Sequence, residues 1–381
     1  MFAFKKRAST AVSLMKKAPI KIPPKKVCIR AYRVPKGRWI RDELLCADGK
    51  SASAMLAARG VAIIPGVMDP SLCPATFDAV MRDMETIVPS FKYDTPSTWP
   101  NLRRDGKALH TMIFQHFGVA WLQSVVNARQ NPQISQIFAD IFSDLDSTQY
   151  LPRDMLMSAD GICAYINSSK SLSGYYQDGH DNLHTDQEAT NEINCVQGFI
   201  NIVNSRYEGV SRNACLEVVL QSHLFSKQYA ERFPETKNNR FNLIQNQQQM
   251  DFLRTECGCE VVHIDALAGD LVLWHHHTFH QAKEAERPKY SQGEDVAVKR
   301  MTIYVSLQPY IYAQTKDILK KRKAFDSLNS TDHNASRGVS TFPRWPRNYG
   351  HALIAQGLTT RPILNDQGKR QWALPIMTKK K

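Results

Sequence analysis

The hydrophobic and polar positions of the chain follow two patterns, which change near residue 155. Before that point, apolar residues recur every three or four positions, as on one face of an amphipathic helix. After it, apolar residues come in short runs of strand length, which turn-rich stretches separate. These runs lie at 161–166, 195–204, 215–221, 260–264, 270–274 and 301–307. Many short strands with irregular loops predict a sandwich or barrel of the jelly-roll type, mainly β with flanking helices.

Three helices are predicted before residue 155, at 72–87, 119–128 and 133–143. A strand at 60–67 precedes the first helix, and Asp69-Pro70-Ser71 marks where that helix begins, because Asp or Ser can cap a helix and Pro suits its first turn. Residues 90–108 are polar and contain prolines, so they predict a loop.

The excess of positive charge lies at the N-terminus. The chain has 381 residues and a net charge of +13, and residues 1–41 contain 13 Lys or Arg and no acidic residue, which leaves 36 basic and 36 acidic residues in the remainder. Prolines in this segment oppose a long helix. We therefore expect a flexible basic arm over 1–41. A mitochondrial-type presequence and an arm that binds an anionic partner are the alternatives.

The rest of the chain divides into a main domain at 42–315, with a polar insertion at about 225–256, and a C-terminal extension at 316–381. The extension is expected to open with a basic helix at 315–326 and to be irregular after it. No apolar run approaches the roughly 18 residues of a spanning helix, so no transmembrane segment is expected. Eight scattered cysteines without a secretory signal indicate a reducing intracellular compartment, with the cytosol or nucleus favoured and the mitochondrion left open.

The segment that contains His184 and Asp186 is the first candidate for chemistry. On a strand, residues two apart point to the same face, so these side chains can offer an imidazole and a carboxylate to one metal ion. A second imidazole would complete the two-histidine, one-carboxylate set of non-haem iron oxygenases. Four histidines, at 275, 276, 277 and 280, follow an apolar strand and can supply it. A His-x-Asp pair alone is a weak signal, because such pairs also occur on ordinary surfaces.

Several segments, in chain order, resemble the phytanoyl-CoA dioxygenase-like family over roughly residues 58–310. They are Gly60 to Val67 with Asp69-Pro70, His184 to Gln187, Cys195 to Gly198, Leu220 to His223, Gly269 to His280, and Arg300 to Thr302. The resemblance implies a double-stranded β-helix core of the jelly-roll, cupin-like kind. In the family's distal motif the ligand lies ten positions after the Asp, and this register selects His280 over His275, His276 and His277.

The resemblance also implies the cofactors and the reaction. Iron(II) would be held by His184, Asp186 and His280, and 2-oxoglutarate by Arg300, whose planar fork suits a carboxylate. Thr302 is on the same face of the strand and would add a hydroxyl, whereas Lys299 points to the other face. The reaction would consume O₂, release succinate and CO₂, and hydroxylate a small-molecule or macromolecular substrate. Asp186 fills the position that relatives with halogenase activity leave open for a halide.

Two other hypotheses are compatible with the sequence. One is a catalytically silent jelly-roll protein that binds an anionic partner through the basic arm. The other is a zinc hydrolase, since zinc also accepts two histidines and a carboxylate. Arg300 distinguishes the hydrolase from the oxygenase, because a hydrolase needs no anchor for 2-oxoglutarate.

Overall fold

The fold is taken from a computed structural model of the whole chain. It describes residues 34, 37–106, 108, 112–168, 182–187, 195–207, 211, 212, 214–234, 242–283, 297–346 and 358–374.

Sixteen strands are found within these residues. They are β1 (Arg38–Ile40), β2 (Val61–Ile64), β3 (Ile113–Phe114), β4 (Met155–Met157), β5 (Ile162–Ser168), β6 (Val196–Asn201), β7 (Arg206–Tyr207), β8 (Ser211–Arg212), β9 (Cys215–Leu220), β10 (Glu260–Ile264), β11 (Leu271–His275), β12 (His280–Lys283), β13 (Ala297–Val305), β14 (Leu307–Pro309), β15 (Ser330–Thr331) and β16 (Thr341–Phe342). The α-helices of the same residues are α1 (Gly49–Arg59), α2 (Cys73–Ile87), α3 (Trp99–Asp105), α4 (Gln123–Arg129), α5 (Pro132–Leu145), α6 (Ser226–Arg232), α7 (Gln247–Asp251), α8 (Thr315–Ser327) and α9 (Asp366–Gln371).

The strands form two main sheets that face each other. The larger sheet has the order β2-β11-β6-β13-β5-β3, and the smaller has β1-β10-β9-β12. Strand β11 shows how the alternation of its side chains builds two cores: Leu271 and Leu273 pack in the cluster that includes the helices, whereas Val272 and Trp274 pack in the cluster shared by both sheets. This arrangement confirms the expected jelly-roll core with flanking helices.

Most predicted elements are confirmed, including the six strand runs after residue 155 and the three helices before it. Two segments that were expected to be irregular contain helices, so these expectations are wrong. The loop predicted at 90–108 contains helix α3, which begins with Trp99-Pro100, and proline is tolerated in a first turn. The irregular C-terminal region contains α9, whose start is capped by the Asn365 side chain accepting from the Gly368 backbone N–H.

The expectation for the end of the basic arm is also wrong. Residues Arg38–Ile40, expected to be flexible, form β1 and pair in parallel with β10. The next residue, Arg41, holds the carboxylate of Asp270 in a two-pronged ion pair, with 3.2 Å between Nη2 and Oδ1. Asp270 is 2% exposed, so this contact satisfies a buried charge at the start of β11. Residues 1–33 lie outside the described residues.

No disulfide joins any of the cysteines that the structure describes. Within the same residues, none of the helices combines the length and the apolar character needed to cross a bilayer.

Candidate metal centre

His184 and His280 lie directly opposite each other across a backbone bridge. The His184 N–H donates to the His280 carbonyl at 3.1 Å, and the His280 N–H donates to the His184 carbonyl at 2.9 Å. The expectation of a strand around His184 is wrong. His184 is an isolated bridge residue, and Asp186 lies in a bend. The chain turns there because Thr185 is held by Asn242 of the insertion, through backbone and hydroxyl bonds of 2.9 and 3.1 Å.

The bridge and the bend bring three donor groups together. The Nε2 atom of His184 is 3.3 Å from one carboxylate oxygen of Asp186, and the Nε2 atom of His280 is 3.2 Å from the other. All three donor atoms lie within 4.8 Å of one another. The side chains of His184 and Asp186 are about one quarter exposed, which leaves an open side toward the cavity between the sheets.

The two imidazoles are oriented by main-chain carbonyls. His184 Nδ1 is 2.5 Å from the carbonyl of Asn182, and His280 Nδ1 is 2.9 Å from that of Thr278. With Nδ1–H donating to a carbonyl, each neutral ring presents the lone pair of Nε2 to the site, as metal-ligating histidines do. Burial opposes the charged carboxylate of Asp186, but charge and hydrogen-bond interactions with His280 and His184 outweigh burial and hold the pKa of that carboxyl well below its usual value.

This donor set fits an iron(II) ion. Two neutral imidazoles and one ionised carboxylate form the facial set of non-haem iron oxygenases, and they leave other coordination positions free. The open side of the set faces a cavity of about 260 Å³, whose wall includes all three donor residues. The structure therefore brings the three predicted ligands together from separate segments of the chain.

Arg300 lies in the wall of the same cavity, on β13. It is 4% exposed, and its Nη1 donates to the Asn201 side-chain oxygen at 2.6 Å. The guanidinium carbon lies 5.4 Å from the centre of the Phe199 ring. Among the described residues, no carboxylate forms an ion pair with Arg300, so this buried cation is available to an anionic ligand. A dicarboxylate co-substrate such as 2-oxoglutarate fits that arrangement.

The alternation along β13 places further residues on the cavity wall. Thr302 faces the cavity as predicted, and Tyr304 does so two residues later. Sequence reasoning missed Tyr304, although the same two-residue period that selected Thr302 would have found it. Lys299 points to the opposite face as expected, with its ammonium 5.0 Å from the centre of the Phe77 ring.

Asp160 and His333 also line the cavity and were missed. Burial raises the pKa of the Asp160 carboxyl to about 6. His333 comes from the C-terminal region. A hydrogen bond of 2.9 Å, donated by the Gln187 side chain to the Asn334 side chain, holds this region near the segment that contains His184 and Asp186. No local sequence pattern marks either residue, because both reach the cavity through contacts between distant segments.

Two histidines outside the candidate metal centre have structural contacts. His263 pairs with buried Glu217 at 2.6 Å, and His223 is bonded to the Ala57 carbonyl at 3.0 Å. Trp274 is a core residue, and it also forms part of the cavity wall. Gln197 lines the cavity.

Three consecutive histidines, His275, His276 and His277, form a separate group that we call the histidine trio. Their rings are stacked or tilted against each other, with centroid separations of 4.3 Å between His275 and His276 and 3.9 Å between His276 and His277. Burial lowers the pKa of His275 to about 3 and that of His276 well below its usual value, so both rings are neutral near pH 7.

Solved structures with a similar fold have little sequence identity to this chain. A hypothetical protein from Escherichia coli, JW0805, is 14% identical, with a TM-score of 0.50 and coverage of 88% of this chain and 82% of that one. The epimerase SnoN from nogalamycin biosynthesis, solved with Fe³⁺, alpha ketoglutarate and nogalamycin RO, is 13% identical, with a TM-score of 0.37 and coverage of 83% and 95%. The Candida albicans protein GIG2 is 14% identical, with a TM-score of 0.44 and coverage of 76% and 70%.

No curated protein sequence is similar enough to match the chain. The family model for phytanoyl-CoA dioxygenase (PhyH), however, matches residues 58–288, which is more than half of the chain. That match includes the two histidines and the aspartate of the candidate metal centre. The chain therefore belongs to the phytanoyl-CoA dioxygenase family, and it is an oxygenase-type enzyme with iron(II) and 2-oxoglutarate as its cofactors.

Proposed function

We propose that the protein is a 2-oxoglutarate-dependent hydroxylase, with His184, Asp186 and His280 as its iron ligands and Arg300 and Thr302 as its 2-oxoglutarate contacts. The observation that carries this proposal is the shared cavity. One wall holds the two-histidine, one-carboxylate set, and the same cavity contains a buried guanidinium that no carboxylate of the described residues neutralises. A zinc hydrolase would have no use for that cation.

The protein's own residues prepare the site in three ways. The carbonyls of Asn182 and Thr278 fix the imidazoles in the ligand-competent tautomer. The Asn201 side chain accepts from Arg300 and so fixes the direction of the guanidinium fork. Trp274 and Phe199 form apolar parts of the wall, which exclude water and strengthen the attraction between Arg300 and an anion.

Iron bound at this centre would supply O₂ activation, with 2-oxoglutarate as the reductant that becomes succinate and CO₂. The presence of Asp186 favours hydroxylation over halogenation, because its carboxylate occupies the coordination position that a halide would require. Mass spectrometry of a product formed under ¹⁸O₂ with excess chloride tests this part of the proposal. We expect a hydroxyl labelled from O₂, and a chlorinated product would contradict it.

The co-substrate site is tested without knowledge of the substrate. Under anaerobic conditions, iron(II) and then 2-oxoglutarate are added to the protein while the visible absorption is followed. We expect a weak metal-to-ligand charge-transfer band that saturates with 2-oxoglutarate and that, in halide-free buffer, is absent from the Asp186→Ala variant. If the wild-type protein bound iron but developed no such band, the proposed co-substrate site would be wrong.

A further inference from the structure

The histidine trio has donor atoms close enough to share one metal ion. One ring nitrogen from each of His275, His276 and His277 lies within 4.8 Å of the others. The group occupies the last residue of β11 and the turn that follows it. His276 and His277 are buried, with 3% and 9% of their surface exposed, and His275 is partly exposed.

His276 is oriented as a metal ligand would be. Its Nδ1 is 2.8 Å from the carbonyl oxygen and 3.2 Å from the backbone nitrogen of Cys195, and these two contacts fix the ring. With Nδ1–H donating to the closer carbonyl, the lone pair is on Nε2. That Nε2 atom is buried and has no hydrogen-bond partner among the described residues. Buried polar atoms are nearly always satisfied, so an isolated one calls for an unseen partner. The arrangement repeats the one at His184 and His280, where a carbonyl holds Nδ1 and Nε2 faces the metal centre.

A second buried ring nitrogen without a hydrogen-bond partner among the described residues lies beside the trio. His223, whose ring centroid is 5.1 Å from that of His275, is bonded to Ala57 through Nε2, and its Nδ1 has no partner among the described residues. Gly60 makes room for this ring, because a Cβ at Gly60 would lie 2.6 Å from His223 Nδ1. Within the part of the chain that the structure describes, the His275 ring accepts a long hydrogen bond of 3.2 Å, from the His277 backbone N–H to Nδ1, so metal binding would sacrifice little there.

We propose that His275, His276 and His277 form a second metal site, distinct from the iron centre, that takes a borderline divalent cation of the zinc class. Imidazole nitrogen suits zinc, and a set of three histidines with a water in the fourth position is a known zinc arrangement. The trio contains no carboxylate, which separates it from the donor set at Asp186. A cation here would tie the end of β11 to the turn that leads to Thr278 and His280, so its role is structural support of the iron-binding strand.

The test uses the full chain without a histidine tag, stripped of metal with a chelator and then titrated with Zn²⁺ alone. The double variant His184→Ala/Asp186→Ala removes the iron centre and serves as the background. We expect two zinc equivalents for the wild type and one for this background, each measured by equilibrium dialysis and elemental analysis. Binding of the remaining zinc should raise Tm. None of these readouts requires oxygenase activity, so the proposal stands or falls apart from the proposed function.

The decisive variant is His276→Phe in that background, with His277→Asn as a second and His116→Phe as the matched control. Besides the Nε2 ligand, His276→Phe removes the bonds between His276 Nδ1 and the buried Cys195 backbone, so the metal-free Tm should fall somewhat, and the deciding result is that the zinc equivalent and the zinc-dependent rise in Tm are lost. His116→Phe should keep both. Absence of zinc binding by the background, or retention of the zinc equivalent in both trio variants, would overturn the proposal.

Discussion

Four histidines lie within six residues of sequence, and the fold divides them between two groups with different surroundings. His280 faces Asp186 and His184 on the wall of an open cavity, whereas His275, His276 and His277 are packed against one another, and no carboxylate of the described residues belongs to their group. The first group places two imidazoles beside an anion, and the second consists of imidazoles alone. The comparison shows that the number of histidines in a segment does not identify the iron ligands. What identifies them is the side chain that the fold places opposite each ring.

The strongest test of this comparison replaces the carboxylate. In halide-free buffer, Asp186→Ala should abolish the 2-oxoglutarate-dependent absorption band of the iron-loaded protein, because neither a carboxylate nor a halide then completes the set with the two remaining imidazoles. His276→Phe should leave the band intact, since its ring belongs to the other group. The roles assigned to the two groups would be reversed if His276→Phe lost the band while Asp186→Ala kept it.

A large effect is also expected at Arg300. Arg300→Ala should spare iron binding but weaken 2-oxoglutarate binding by about 2–5 kcal/mol, because a buried carboxylate would lose its partner. This corresponds to a roughly thirty-fold to several-thousand-fold rise in Kd, measured by titrating 2-oxoglutarate into the anaerobic iron-loaded variant. Lys299→Ala is the matched control, since its side chain lies on the opposite face of β13 over Phe77. An unchanged Kd for Arg300→Ala would assign the anchor to another cation.

The sequence predicted the sheets well because strand periodicity is local. The two-residue alternation of β13 correctly placed Thr302 and Lys299 on opposite faces. The surroundings of the candidate site could not be predicted in the same way. Asn242 and His333 reach it through contacts between segments far apart in the chain, and no periodic pattern encodes such contacts.

The N-terminal arm gives another example of such a contact. Composition predicted a flexible segment as far as residue 41, but Arg41 neutralises buried Asp270 at the start of the strand that leads to both histidine groups. Arg41→Ala should therefore lower the free energy of unfolding by about 2–3 kcal/mol, measured by urea denaturation, since it leaves a buried charge without its partner. Arg38→Ala, which loses only exposed pairs with Glu43 and Glu260, should shift the midpoint much less. Equal effects of the two variants would show that the Arg41 pair has no special role.

The smallest expected effect is on the pH dependence of the unfolding free energy, through His275 of the trio. In metal-free protein, His275 has a folded pKa of about 3, because burial disfavours the charged ring, whereas an unfolded histidine titrates near 6.5. Between these values the unfolded chain binds a proton that the folded chain does not, so stability falls as pH drops below about 6.5 and is unaffected by this residue above it.

His275→Phe removes that proton uptake. Its unfolding free energy should fall by about 1 kcal/mol less than that of the wild type between pH 7 and pH 5.5, measured by urea denaturation in the presence of a chelator. Between pH 7 and pH 8 the two proteins should show the same pH dependence. Parallel curves from pH 7 down to pH 5.5 would mean that His275 is charged in the folded protein, and the description of its ring as neutral would then fail.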